Sequence, residues 1–375
     1  MLALAVSPAI SIRELQALAF RSYKLLEVSF HPGLNAIVGT NGQGKTNVLD
    51  MLYMLSMCKA PTRVPDASAI RHGEDGFALH GKYTDPAGQT ATVSLGIKRN
   101  QGKTLRYDDQ PCARLSDHIG RIPLLAIYPH DVELVWDGGD LRRRFLNAFI
   151  AQFDPVYIQQ LAAYEKILSQ RNTLLRTPSH DLSLLEVYDM QLAQTAIPVY
   201  QARLAACQAL SPLLSDYYAR LSPASERASI TYLSALSDGD LLSKLHEARP
   251  KDLQRMYTTV GVHRDNIRFE LNSHALRNMG SQGQQKTFIV ALRLAQYHLL
   301  RERLGYAPIL LLDDLFDKLD SQRVSWLAEV FSGEHFGQVF ITDTDPSRIR
   351  PLFRHRAGEG RLLEACDGQL KEQTL

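Results

Sequence analysis

The residues best suited to phosphate chemistry form a glycine-rich stretch near the start of the chain. GTNGQGKT, residues 39–46, satisfies the pattern G-x-x-x-x-G-K-[ST] at each fixed position. The glycines let successive backbone N–H groups face a phosphate, Lys45 reaches the β- and γ-phosphates, and the Thr46 hydroxyl binds Mg²⁺. The sequence therefore predicts a site for the phosphates of a nucleotide and for Mg²⁺, formed by Gly39, Thr40, Asn41, Gly42, Gln43, Gly44, Lys45 and Thr46.

A pair of adjacent acids follows an apolar run near the other end of the chain. In PILLLDDLFDKLD, residues 308–320, the run at 309–312 predicts a strand buried on both faces. Asp313 at the strand end is placed to hold Mg²⁺, and Asp314 is placed to polarise an attacking water. We therefore predict Lys45 and Asp314 as catalytic residues and Thr46 with Asp313 as metal ligands. Asp320 completes a second acidic corner.

The stretch NMGSQGQQKTFIVALRL, residues 278–294, begins a helix with small and polar residues. The order of phosphate loop, polar knuckle and acidic strand end resembles ABC-type ATPases. That resemblance implies that Ser281, Gln282, Gly283 and Gln284 bind the γ-phosphate held by the other subunit. A helix N-terminus is an anion site, so two copies related by a two-fold axis would build two composite sites. The alternative is an ordinary helix cap at Ser281.

The patterns along the chain predict the elements that position these residues. The pattern over 13–38 predicts short strands, and period-two alternation over 77–107 predicts an antiparallel meander. Helical spacing predicts a buried helix after Gly44 and a helical module over 145–254. YTTVG (257–261), NIRFEL (266–271) and QVFIT (338–342) predict further strands.

The fold class is therefore α/β: an ABC-type P-loop ATPase head with an antiparallel β subdomain and an inserted α-helical arm. We predict three segments, namely an N-terminal head lobe at 1–144, the arm at 145–254 and a C-terminal head lobe at 255–375.

Composition restricts the class of protein further. The 42 Lys and Arg residues nearly balance the 40 Asp and Glu residues, so any basic surface for nucleic acid must be local. The four cysteines contain no C-x-x-C pair, which argues against a zinc site or a disulfide framework. No apolar run has the length of a membrane helix, and the N-terminus lacks the features of a secretory signal. We expect a cytoplasmic protein without membrane partners.

The head resembles one family, the RecF family of bacterial recombination mediators. The matching stretches are FRSY (20–23), NGQGKTN (41–47), PTRV (61–64), YPHDVELVWDGGDLRRRFLN (128–147), GVHRDN (261–266), SQGQQK (281–286) and LLLDD (310–314). The resemblance implies an SMC-like head that dimerises on ATP, binds DNA at single-/double-strand junctions and hydrolyses ATP weakly under DNA stimulation. It also implies loading of RecA at gaps together with RecR and RecO.

The resemblance assigns two further residues and exposes some departures. It implies that Arg21 lies near the nucleotide and that Asp320 belongs to the D-loop. The D-loop reads DKLD (317–320), with Asp317 where the family usually has serine. The switch strand ITDT (341–344) has no histidine, so Asp343 or Thr344 is a candidate substitute. Asp314 replaces the usual ABC glutamate, which predicts slow turnover.

Local basic clusters are the candidate DNA contacts. We predict Lys98, Arg99, Lys103 and Arg142, with Arg106, Arg143, Arg144 and the stretch RHR (354–356) as further members. His263 and Arg264 have two interpretations: a hydrogen-bond network with Asp265 in the core of the head, or a link between nucleotide state and the arm.

Three other functions compete with a DNA-repair ATPase. A transporter nucleotide-binding subunit would lack the long helical insert and would carry the switch histidine. A small-molecule P-loop kinase would need an acceptor pocket and no signature knuckle. An ATP-inert scaffold for RecR would function unchanged after Lys45→Met.

Overall fold

The structure, a computed structural model, describes residues 9–62, 64–177, 181–222, 225–316, 321–333, 335–355 and 360–374. Its contacts divide the chain into two compact units, Met1–Asp131 with Tyr297–Leu375, and Val132–Gln296.

The elements follow one another in this order: β1 (Ser11–Phe20), β2 (Tyr23–Ser29), β3 (Leu34–Val38), α1 (Lys45–Met57), β4 (Gly76–Thr84), β5 (Thr90–Lys98), β6 (Gly102–Tyr107), β7 (Gln110–Pro111), β8 (Leu124–Ile127), α2 (Glu133–Trp136), α3 (Gly139–Ile150), α4 (Pro155–Leu175), α5 (Leu182–Leu221), β9 (Ala228–Leu233), α6 (Leu241–Arg255), β10 (Asn266–Leu271), β11 (His274–Ala275), α7 (Leu276–Met279), α8 (Gln282–Leu304), β12 (Ile309–Leu312), α9 (Ser321–Ser332), β13 (Val339–Asp343), α10 (Pro346–His355), β14 (Gly360–Cys366) and β15 (Gln369–Gln373).

The first unit is built on two sheets. The predicted meander is confirmed and belongs to an antiparallel sheet with strand order β2-β1-β4-β5-β6-β7. The second sheet has the order β15-β14-β3-β13-β12-β8, in which every pairing except that of β15 is parallel. Ligands of such sheets bind at the carboxyl ends of the parallel strands. The loop after β3 and the acids after β12 both lie at that end.

Helix α1 packs into the core that joins these sheets. Its apolar residues, including Val48, Leu49, Leu52 and Leu55, are buried with side chains of both sheets. The buried helix predicted after Gly44 is therefore confirmed. The phosphate loop therefore leads directly into a helix that is anchored in the core.

The second unit combines helices with a small sheet. Helices α4 and α5 pack against each other, and strands in the order β11-β10-β9 form an antiparallel sheet that contacts α3 and α5. Helix α5 contains 40 residues. Among the described residues, no helix combines the length and hydropathy that crossing a membrane requires.

Two details of the sequence prediction are wrong. YTTVG (257–261) forms no strand, because Thr258 is used instead in side-chain bonds to the helices around it. The module predicted as helical contains strand β9, which pairs with β10 from beyond the module. This pairing helps explain why the contact-based division falls at 131/132 and 296/297, whereas the three-segment division of the sequence remains a prediction.

Candidate nucleotide site

The phosphate loop joins β3 to α1 in a conformation that depends on its glycines. Gly39, Gly42 and Gly44 have φ values of 148°, 84° and 94°, a region that side chains with a Cβ rarely adopt. A Cβ added at Gly44 would lie 2.7 Å from the Ser22 Oγ. Lys45 donates from Nζ to the carbonyl oxygens of Gly39 at 2.7 Å and Thr40 at 3.1 Å. The loop thus holds its ammonium group against the backbone that would surround a phosphate.

The acids after β12 meet the first turn of α1. The Thr46 hydroxyl lies 3.0 and 3.1 Å from the two carboxylate oxygens of Asp313. Asp313 is 5% exposed, and burial raises the pKa of its carboxyl to about 6. Its neighbour Asp314 has a positive φ of 42°, so the chain turns sharply at the strand end. Sequence-distant residues predicted as metal ligands are thus within bonding distance of each other.

This pair of residues fits Mg²⁺ chemically. A hydroxyl and a carboxylate are the hard oxygen ligands that Mg²⁺ prefers. In the described part of the chain, the side chains bonded to Asp313 are two neutral hydroxyls, those of Thr46 and Thr342. A buried carboxylate without a counter-charge is energetically unfavourable. A cation beside Asp313 would offset the cost of desolvation and lower the pKa of this carboxyl.

Arg21 is bonded to the first turns of α1, next to the phosphate loop. Its guanidinium donates to the Asn47 Oδ1 at 3.0 Å and pairs with the buried carboxylate of Asp50. Asn47 also donates to the Ser22 Oγ at 2.8 Å. The FRSY corner is therefore tied to α1 immediately after the phosphate loop. Asn47 and Asp50 were not singled out as Arg21 partners from the sequence, because only the folded chain brings them to this corner.

The knuckle before α8 has the geometry of a reciprocal helix cap. The Ser281 Oγ accepts from the Gln284 N–H at 3.2 Å, and the Gln284 Oε1 accepts from the Ser281 N–H at 2.7 Å. Ser281, Gln282 and Gly283 are exposed. The structure thus contains the cap that was the alternative interpretation. The cap uses the Ser281 and Gln284 N–H groups, and the exposed residues Gln282 and Gly283 lie at a helix N-terminus, the kind of position where anions bind.

Comparison with known proteins identifies the family. Residues 11–350 match the family model described as RecF/RecN/SMC N terminal domain. The "DNA replication and repair protein RecF" of Porphyromonas gingivalis is 38% identical over 360 residues, which cover 96% of this chain and 99% of the relative. The protein of the same name from Parabacteroides distasonis is 39% identical over 363 residues, covering 94% and 99% of the two chains.

The chain belongs to the RecF family.

Solved structures agree with this family and confirm the predicted fold class. A structure of "the recombination mediator protein RecF-ATP in RecFOR pathway" superposes with a TM-score of 0.88 at 27% identity, covering 97% of this chain and 99% of that one. An Smc head domain from Pyrococcus furiosus superposes with a TM-score of 0.58 at 16% identity, which supports the fold alone. RecF proteins thus share this α/β head with SMC proteins, and their membership of the ABC-type ATPases supports ATPase activity.

The predicted basic contacts differ sharply in exposure. Lys98 and Arg99 are exposed at the end of β5. Lys103, in contrast, pairs with Asp66, and its side chain is only 17% exposed. Arg106 is exposed on β6. Lys98 and Arg99 are therefore the better placed pair for a surface contact on this sheet.

Arg142 is a structural residue, so the prediction of a DNA contact there is withdrawn. It is 9% exposed, and its guanidinium donates to the carbonyl oxygens of Leu134, Val135 and Asp137 and to the Asn266 Oδ1. These bonds employ all three guanidinium nitrogens, which leaves little capacity for a phosphate. Arg143 likewise donates to the Asp265 carbonyl oxygen, at 2.6 Å.

The residues of GVHRDN form a hydrogen-bond network in the second unit. His263 bonds the Tyr164 hydroxyl at 2.6 Å and the Thr258 carbonyl oxygen at 3.0 Å. Asp265 accepts from the Tyr232 hydroxyl and lies 3.9 Å from the Arg203 Nη1. These contacts agree with a hydrogen-bond network, but its partners Tyr164 and Arg203 belong to α4 and α5 and not to the core of the head, and Arg203 rather than the adjacent Arg264 pairs with Asp265.

The remaining predicted residues fall into two groups. Asp317 and Asp320 of the D-loop and Arg356 lie outside the described residues, as do the side chains of Arg354 and His355. Asp343 ends β13 with 2% exposure, and its Oδ1 accepts from the Asp345 N–H at 2.8 Å. The sequence pattern missed Thr342, which lies beside Asp313. The sequence did contain a signal for this residue, because Thr342 is a hydroxyl residue that follows three apolar residues in VFITD.

Proposed function

We propose that this chain is an ATP-dependent DNA-binding switch that acts in recombinational DNA repair and in the maintenance of replication forks. The observation that carries the proposal is the contact between the Thr46 hydroxyl and the Asp313 carboxylate, at 3.0 Å. It joins the phosphate loop to the acidic strand end, as ATP hydrolysis requires. Several relatives are named as DNA replication and repair proteins, and two related structures are named as RecF with ATP or an ATP analogue.

Each residue of the site has a separate task in this proposal. Lys45 would exchange the Gly39 and Thr40 carbonyl oxygens for the β- and γ-phosphates. Thr46 and Asp313 would hold Mg²⁺, which supplies charge neutralisation to the phosphates. Asp314 would orient the attacking water from the sharp turn after β12. The short Asp314 side chain supports slow hydrolysis, and from the family we propose that DNA stimulates this hydrolysis and that it times a complex.

The exposed knuckle supports a dimer that forms around ATP. Ser281, Gln282, Gly283 and Gln284 present a helix N-terminus and a hydroxyl, which together are suited to a phosphate carried by a second copy. The Ser281 Oγ accepts from the Gln284 N–H in the cap, so its O–H proton can still be donated to a phosphate in a charge-assisted hydrogen bond. ATP would therefore shift the monomer–dimer equilibrium toward the dimer, as a ligand with differential affinity does.

Sedimentation velocity tests the dimer. The wild-type chain should form dimers with ATP and Mg²⁺ and remain monomeric without nucleotide. Ser281→Arg and Lys45→Met should both remain monomeric, the first by blocking the partner's phosphate and the second by weakening ATP binding. Ser169→Arg, at an exposed position of α4, is the matched control and should dimerise normally. Dimers that form equally well without nucleotide would contradict the switch.

DNA binding is proposed for the exposed end of the meander. Lys98 and Arg99 would contact phosphates, so binding should weaken as salt concentration rises. Reversing both charges to glutamate should lower the affinity for a gapped duplex and flatten its salt dependence, while leaving ATP binding intact. Lys166→Glu with Lys251→Glu changes the net charge equally at exposed positions of α4 and α6. Equal affinities of the two double variants would show that the meander is the wrong surface.

The family and the names of related proteins support a proposal about partners. Two related structures are named as recombination mediators in the RecFOR pathway. We propose that this chain binds RecR and acts with RecO in loading RecA at single-/double-strand junctions in the cytoplasm. Pull-down of purified RecR by this chain, with and without ATP and gapped DNA, tests the first step. The transporter alternative has no support among the relatives named here.

A further inference from the structure

Thr342 occupies the strand between the two halves of the nucleotide site. Strand β13 pairs on one side with β3, which leads into the phosphate loop, and on the other with β12, which ends at the acids. In this register Thr342 lies opposite Ile37, one residue before the strand end. The residue is 0% exposed, in a strand whose five residues are all buried.

The Thr342 hydroxyl bonds both acidic residues at once. Its Oγ1 donates to the Asp313 Oδ1 at 2.8 Å and accepts from the Asp314 backbone N–H at 3.0 Å. One bond fixes the carboxylate predicted to hold the metal. The other fixes the backbone of Asp314, where φ is +42°. A hydroxyl has one proton to donate, so these two bonds use its donor and one of its acceptor positions.

Packing alone does not account for a threonine at this position. Valine has nearly the same shape and would fill the apolar strand without a buried hydroxyl. A buried hydroxyl is unfavourable unless it is bonded, and here the groups that satisfy it are both parts of the acidic strand end. Thr46 approaches the same carboxylate from α1, so two hydroxyls from different elements determine the orientation of Asp313.

We propose that Thr342 is a positioning residue. Its hydroxyl orients the Asp313 carboxylate for binding Mg²⁺, and it holds the backbone of Asp314 so that the Asp314 side chain can orient the attacking water. The inference rests on the proposed function and deepens it, because it names the residue that couples the metal ligand to the water-orienting acid. Groups that orient a metal ligand through a hydrogen bond typically change metal affinity by about 10–100-fold when removed.

The test compares Mg²⁺ dependence in three variants. Thr342→Val removes the hydroxyl and keeps the shape, whereas Thr342→Ser keeps the hydroxyl. Ser56→Ala is the control, because it removes another fully buried hydroxyl bond in the same unit, from Ser56 to the Ile122 carbonyl oxygen. The readout is binding of a fluorescent, non-hydrolysable ATP analogue, titrated with MgCl₂ and repeated in EDTA.

The expected result separates positioning from general stability. Thr342→Val should raise the half-saturating Mg²⁺ concentration about 10-fold or more while its binding in EDTA stays that of the wild type. Thr342→Ser and Ser56→Ala should keep the wild-type Mg²⁺ dependence. If Thr342→Val does not fold, Thr342→Cys, with its weaker donor, should shift the titration in the same direction.

The possible failures are distinguishable. A folded Thr342→Val, or Thr342→Cys where the valine variant is unfolded, that retains the wild-type Mg²⁺ titration would overturn the role of Thr342 and leave the proposed ATPase intact. A wild-type chain that binds no analogue at any Mg²⁺ concentration would overturn the proposed function, and the role of Thr342 with it.

Discussion

Asp189 in the second unit and Asp313 in the first are both buried carboxylates, but different groups compensate their charge. Asp189 accepts from the Arg171 Nε at 2.6 Å and the Arg249 Nη2 at 2.7 Å. Arg171 in turn bonds Asp252 at 2.7 Å, and its side chain is 0% exposed. Two guanidinium groups thus neutralise two buried acids within one network between helices.

Asp313 has only neutral partners in the described part of the chain. The hydroxyls of Thr46 and Thr342 bond it, and burial raises the pKa of its carboxyl to about 6. A buried acid balanced by guanidinium groups is explained by structure, whereas one held by hydroxyls is oriented but not neutralised. The difference is consistent with the proposed cation site at Asp313, whereas the charges of the Arg171 network are balanced within the protein.

Removal of one member of the compensated network should produce the largest loss of stability. Arg171→Met leaves Asp189 with one cation and Asp252 without its guanidinium, and breaking a buried ion pair costs about 3–5 kcal/mol. Urea unfolding followed by circular dichroism measures the loss. Arg176→Met, at the exposed end of α4, should cost little. Equal stabilities for these two variants would show that the network does not support the helices.

Changes in the site of Asp313 should affect catalysis before stability. Lys45→Met should reduce ATP hydrolysis by about 100-fold or more, since one preorganised group that stabilises transition-state charge contributes about 3–4 kcal/mol. Phosphate release under saturating Mg²⁺ measures the rate. Lys24→Met, at an exposed position of β2, is the control. Wild-type turnover in the Lys45→Met variant would show that the phosphate loop does not take part in ATP hydrolysis.

The negative charge of Asp313 should be dispensable for folding but necessary for binding Mg²⁺. Asp313→Asn removes an uncompensated buried charge, so stability in EDTA should be unchanged or higher by about 1 kcal/mol. Mg²⁺ should no longer strengthen binding of an ATP analogue to this variant. Asp189→Asn should behave oppositely, with lower stability and normal Mg²⁺ dependence. If Asp313→Asn destabilised the chain as much as Asp189→Asn, the contrast between the two acids would be lost.

The smallest effect is expected from pH, through His263. Burial lowers the pKa of this imidazole to about 4, below its ordinary value of 6.5. Between these values the unfolded chain binds a proton that the folded chain does not, so this contribution to stability falls as pH decreases. Between pH 7 and pH 5 the loss should be about 1–2 kcal/mol. His263→Gln should lose less stability over this range than the wild type, and His72→Gln, at an exposed position, should match the wild type.

Local pattern predicted the parts of the molecule that depend on few neighbours. The phosphate loop is defined by fixed spacing, because the backbone of a tight turn before a helix determines which positions must be glycine. The meander is defined by period-two alternation across β4, β5 and β6, because successive side chains of a strand face opposite sides. The buried strand β12 was evident from its continuous apolar run.

Predictions about charged side chains succeeded less well. Arg142, Lys103 and Lys98 are all basic residues, and the sequence did not distinguish them. In the structure Arg142 is buried and bonded to carbonyl oxygens, Lys103 is paired with Asp66, and Lys98 is exposed. Their partners include Asn266 and Asp66, and no spacing rule connects such positions. Exposure of a basic residue is decided by what packs beside it, which a linear pattern does not contain.

The amino-acid sequence by itself determined the phosphate loop, the acidic strand end and the α/β class, because each follows from backbone geometry within a few consecutive residues. Only the tertiary structure decided which charges are neutralised and which remain available. Pairing of β13 between β3 and β12 brings Thr342 to Asp313, and packing of α1 brings Thr46 there as well. Hydrogen bonds act over about 3 Å, so they depend on which distant segments the fold places side by side.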